Sequence, residues 1–140
     1  MNNPLFLADL KGMTPYEVKK HIAGEYAGDK SGFDYGRPSD DVATLAKKLD
    51  DFTILIAYES VGNWGCDSSS WFLMRKNSDN TLWEFSGGHC SCYGFEGQFD
   101  PEETQLEYLK SDKFYFSTGG YDDDRNENES KVKAYLEKLA

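Results

Sequence analysis

The run Phe52-Thr53-Ile54-Leu55-Ile56-Ala57-Tyr58 constrains the fold more than any other segment. It is apolar and rich in β-branched residues, with acids before it and Ser-Val-Gly-Asn after it. That combination predicts a central strand, bounded at both ends by residues that favour turns. Two further runs follow, Trp71 to Lys76 and Thr81 to Phe85, separated by Asn77-Ser78-Asp79-Asn80. A four-residue polar turn between β-rich runs predicts an antiparallel hairpin.

Helical signals flank this block. Thr14-Pro15-Tyr16-Glu17 predicts a helix start, because Thr14 accepts from an orphan amide, Pro15 presets φ and Glu17 reaches back as in a capping box. Val18 and Ile22 then share a face, His21 sits at its edge as a half-buried structural residue, and Gly24 is the expected stop. A second helix is expected from near Ser39, with Val42, Leu45, Ala46 and Leu49 as its buried stripe and Lys47 and Lys48 at the negative end of its dipole. Asp100-Pro101-Glu102-Glu103 predicts a third helix start carrying Leu106 and Leu109, Lys113 to Ser117 a short last strand, and Val132, Tyr135, Leu136 and Leu139 a final amphipathic helix. The expected architecture is α+β: one domain, residues 1–140, with an antiparallel sheet of three or four strands and three or four packed helices.

Composition narrows the function classes. A chain of 140 residues with 39% hydrophobic and 15% aromatic content buries enough surface to fold without staples. Its net charge of −10, with the acid excess heaviest at the end, repels phosphate backbones and anionic membrane surfaces. Direct nucleic-acid and membrane binding are therefore not expected, and a protein partner with a basic surface is. Without a membrane-length apolar run or a signal-like start, and with only three cysteines, the chain is expected to be cytoplasmic with free thiols or a metal.

Chemistry is concentrated in Gly87-Gly88-His89-Cys90-Ser91-Cys92-Tyr93-Gly94-Phe95-Glu96-Gly97. Cys66, His89, Cys90 and Cys92 are a candidate zinc set, but one residue between Cys90 and Cys92 is poor spacing for a chain that must wrap the ion. A thiolate at Cys90 or Cys92 activated by His89 or His21 is the corresponding enzymatic reading, although such pairs are assembled by the fold and not by sequence neighbours. Asp122, Asp124, Asn126 and Asn128 match alternate ligand positions of a calcium loop, but Glu127 replaces the required Gly and Lys133 the required Glu. No catalytic residue, metal or cofactor is therefore expected. Trp64, Tyr93 and Phe95, set among glycines, are expected to present rigid contact surface, unless they fold back as a lid on the core. With His89 and with Glu96, the one nearby acid not explained as a helix-start residue, they are the expected binding residues.

The run Gly88-His89-Cys90-Ser91-Cys92-Tyr93-Gly94-Phe95-Glu96-Gly97-Gln98, with Asp100-Pro101-Glu102-Glu103-Thr104 after it, resembles small uncharacterised proteins of bacteriophages and prophages. The strands from Tyr58 to Phe85 look similar too, so the likeness covers roughly the middle half of the chain and leaves out residues 1–50 and the acidic tail. The resemblance implies no activity and carries no catalytic residue. It implies a setting, an infected or lysogenic bacterial host, where accessory proteins of this size bind and disable a host protein such as a defence nuclease. A metal- or thiol-dependent enzyme and a module that sequesters a small ligand are the alternatives.

Overall fold

The computed structural model describes residues 3–28, 40–61, 68–89, 95, 98–114, 116 and 124–139. Within them the long apolar run becomes the second of five strands. In chain order the elements are β1 (Leu5–Ala8), α1 (Pro15–Tyr26), α2 (Val42–Leu49), β2 (Phe52–Val61), β3 (Ser68–Lys76), β4 (Thr81–His89), β5 (Glu102–Thr104), α3 (Leu106–Leu109) and α4 (Arg125–Lys138). The sheet order follows the chain order, β1 to β5, with β1 parallel to β2 and every other pair antiparallel.

The α+β class holds, but the sheet is mixed and has five strands instead of three or four antiparallel ones. A parallel pair needs a long crossover, which the segment containing α1 and α2 provides between β1 and β2. Asp100 to Glu103 does not start a helix: Glu102–Thr104 pairs with β4 as an edge strand, and α3 begins only at Leu106. Lys113, Phe114 and Phe116, the described part of the expected last strand, lie in no strand.

The helix starts are better specified. Thr14 Oγ1 accepts from the Glu17 amide and Glu17 Oε1 from the Thr14 amide, a complete capping box. Those bonds hold the Glu17 carboxyl below its usual range. Gly24 does not stop α1, which continues to Tyr26 and buries that ring. Asp41 caps α2 by accepting from the Thr44 amide, and only Leu45 and Leu49 of its expected stripe are buried; Val42 and Ala46 are exposed.

Helices cover both faces of the sheet. Val18, Ile22 and Tyr26 of α1 with Leu45 and Leu49 of α2 pack on Ile54, Ala57, Phe72 and Phe85. On the opposite face, Leu109 near the end of α3 and Val132 and Leu136 of α4 pack with Ile56, Tyr58, Trp71 and Leu73. A register shift between Ile54 and Ile56 changes which residues of β2 face which layer. Before this bulge Phe52 and Ile54 face α1 and α2; after it Ala57 and Glu59 do, while Ile56 and Tyr58 face α4. The bulge thus puts a carboxylate on the side of α1. Among the described residues, no helix is long and apolar enough to cross a membrane.

Candidate functional site

Polar residues collect at one end of the sheet. Glu59, Ser70 and Gly87 lie side by side across β2, β3 and β4; Ser60, Ser69 and Gly88 form the next row, and Val61, Ser68 and His89 the one after it. Segments 62–67 and 90–94 therefore join the sheet at the same end. Glu59, Ser60, Ser68 and Ser70 are all buried, which is unusual for a strand end and requires partners.

Helix α1 supplies two of them. His21 Nε2 lies 3.0 and 3.2 Å from the two carboxylate oxygens of Glu59, so the histidine is half-buried against an acid that is nearly sealed from solvent. One turn and a half further on, the Tyr26 hydroxyl bonds the Ser70 hydroxyl. Burial pushes the Tyr26 phenol above its usual range, and the Ser70 bond only partly opposes this. The Tyr26 ring stacks on Phe95, with centroids 4.8 Å apart and planes within 8°, and meets Phe72 and Phe85 edge-on. Gly87 lies beneath this stack. A Cβ there would stand 2.5 Å from the Tyr26 hydroxyl and 2.8 Å from Phe95 Cδ1, so the close approach requires glycine.

Next along β4, the Gln98 side chain acts as a short strand partner for Gly88. Its Oε1 accepts from the Gly88 amide at 2.8 Å and its Nε2 donates to the Gly88 carbonyl at 2.7 Å. Tyr26, Phe95 and Gln98 thereby fix where the chain after His89 returns to the sheet.

Of the expected binding residues, Phe95 lies in the core, 3% exposed. That is the place of a core lid. The backbone of His89 pairs with Ser68, and its side chain lies outside the described residues, as do Trp64, Tyr93, Glu96, Cys66, Cys90 and Cys92. Among the described residues no group of three or more His, Cys, Asp or Glu is arranged to hold a metal ion. Asn126 and Asn128 lie within α4, Asn128 buried, so they are not positions of a calcium-wrapping loop.

The opposite sheet face carries a cleft of about 240 Å³ that the sequence did not disclose. Trp71, Tyr108 and Phe114 form its aromatic walls, and Glu84, Ser69 and Ser86 supply polar groups. Trp71 Nε1–H donates to Glu84 Oε1 at 3.1 Å, and the Phe114 ring sits between Trp71 and Tyr108, at 5.4 and 5.9 Å. Two larger hollows border α4. One, of about 340 Å³, contains the Lys131–Glu127 pair, and the other, of about 300 Å³, contains Lys133 and Glu129, also paired. The Glu84 cleft has no lysine or arginine in its described lining.

Comparison with known protein families, with curated proteins and with solved structures finds no match to this chain.

Proposed function

We propose that this protein works by docking, as an acidic accessory protein of the phage type its sequence resembles, and that it blocks a basic surface of a host protein. The supporting observation is the edge formed by β5 and α3. Asp100, Glu102, Glu103 and Glu107 are all exposed there, with no base among residues 98–109, on a chain of net charge −10. An acidic rim presented from an edge strand offers a cationic groove the sign of charge that a phosphate backbone would offer it. The test is capture from bacterial lysate by the tagged protein and by its Glu102→Lys, Glu103→Lys, Glu107→Lys variant. Capture that is weakened by added salt and lost in the variant supports docking through this rim. Equal capture by both proteins, or sub-micromolar binding of the protein itself to DNA, overturns it.

One observation favours a second reading, a metal- or thiol-dependent site on Cys66, His89, Cys90 and Cys92. Ser68 and His89 are backbone partners, so the segments that carry those cysteines join the sheet at neighbouring positions. Stoichiometric zinc in the purified protein, with loss of structure on chelation, would rank this reading first.

A further inference from the structure

We infer that the cleft walled by Trp71, Tyr108 and Phe114 receives an arginine side chain of the partner, an inference that rests on the proposed docking to a basic protein. Glu84 is the one charged residue in the described lining of the cleft. One of its oxygens accepts the Trp71 indole N–H, and among the described residues the other has no donor. Glu84 is also the direct cross-strand partner of Glu102, so two carboxylates share one sheet face at adjacent positions. Like charges directly opposite one another destabilise a sheet, and neither acid has an ion pair among the described residues. A cation seated by Glu84 removes that repulsion.

The walls select the kind of cation. A guanidinium is planar, stacks on aromatic faces and offers a fork of donors to a carboxylate, whereas an ammonium is a compact, strongly hydrated charge. Trp71 is almost fully buried and fixed, and Tyr108 is 44% exposed, so one wall is rigid and the other is open to an entering side chain. The hydroxyls of Ser69 and Ser86 provide further acceptors for the remaining guanidinium N–H groups.

The experiment follows the Trp71 indole N–H resonance of the full chain, assigned with Trp71→Phe, while acetyl-Gly-Arg-Gly-amide is added. Matched peptides with lysine or with neutral citrulline, and maltose as a neutral stacking ligand, are the comparison arms. The expected result is a saturable shift with the arginine peptide, roughly fivefold weaker binding of the lysine peptide and no response to citrulline or maltose. Glu84→Gln should weaken arginine binding roughly tenfold and Tyr108→Ala roughly fivefold. Should Glu84→Gln fail to fold, Tyr108→Ala, at a 44% exposed wall residue, carries the test. An equal response to citrulline or maltose, unchanged affinity in these variants, or no saturable shift at millimolar peptide overturns the inference. Because the titration contains no partner, its failure is separable from that of docking. A silent titration with rim-dependent capture intact refutes the arginine site alone; a positive titration with rim-independent capture refutes rim docking alone.

Discussion

Gly87→Ala should be among the most costly single-methyl additions in this protein. The new Cβ would lie 2.5 Å from the Tyr26 hydroxyl, 2.8 Å from Phe95 Cδ1 and 3.0 Å from Tyr26 Cε2. None of these atoms is the free end of a flexible side chain. Tyr26 is 1% exposed, stacked on Phe95, edge-on to Phe72 and Phe85 and bonded to Ser70. Relief requires shifting the whole stack or breaking that hydrogen bond. Overpacking of this kind costs about 1–3 kcal/mol and a lost buried hydrogen bond about 1 kcal/mol more. The stiffer unfolded chain returns only about 0.4–1 kcal/mol. A net loss of about 1–3.5 kcal/mol is therefore expected, read as a lower urea midpoint at unchanged slope. Gly88→Ala, one residue on, meets nothing within 4 Å and should be close to neutral. Tyr26→Phe removes the nearest obstacle, so Gly87→Ala should cost about 1 kcal/mol less in that background. Gly87→Ala within about 0.5 kcal/mol of the parent, or strict additivity with Tyr26→Phe, would refute the reasoning.

Three further outcomes follow from the same end of the sheet. Phe95→Ala should lower the unfolding free energy by about 3–5 kcal/mol, as large aromatic cavities do; a change of under about 1 kcal/mol in urea titration would mean that Phe95 is not a core residue in solution. His21→Ala strands the buried Glu59 carboxylate and should cost about 1–3 kcal/mol near neutral pH, whereas Glu59→Gln with His21→Ala should recover part of it; a double variant as unstable as the sum of both would contradict this. Tyr26 has its folded phenol raised above the unfolded value of 10.0, so its contribution is complete below that pH and is lost as the pH rises above it, by at most about 1.4 kcal/mol per pH unit. Tyr26→Phe should make the alkaline fall in stability shallower by up to one proton, and an unchanged slope would show that the phenol ionises freely in the folded state.

The legible parts of this fold are those whose cause is local. The capping box at Thr14, the polar turn at Asn77–Asn80 and the apolar β2 run are each decided within a few neighbouring residues, and all three stand in the structure as the sequence predicts. β1 and β5 are not legible in the sequence because Leu5–Ala8 is only four residues and Glu102–Thr104 only three, too short for a period to show. In β5 the acids also fit a helix start, and pairing with Leu82, Trp83 and Glu84 decided otherwise. Gly24 failed as a helix stop for a related reason: Tyr26 beyond it gains a buried ring stack and a bond to Ser70, 44 residues away, which outweighs the propensity cost of glycine. The glycine pair Gly87-Gly88 follows the predicted strand in the sequence, and only the extension of β4 to His89 makes it a pair of strand glycines, which mark close approach without naming what approaches. At Gly87 it is Tyr26 and Phe95, while at Gly88, where a Cβ would be free, the backbone is engaged by Gln98. The segment in which chemistry looked concentrated therefore has structural roles at Gly87 and Phe95, with Gln98 just beyond it holding Gly88.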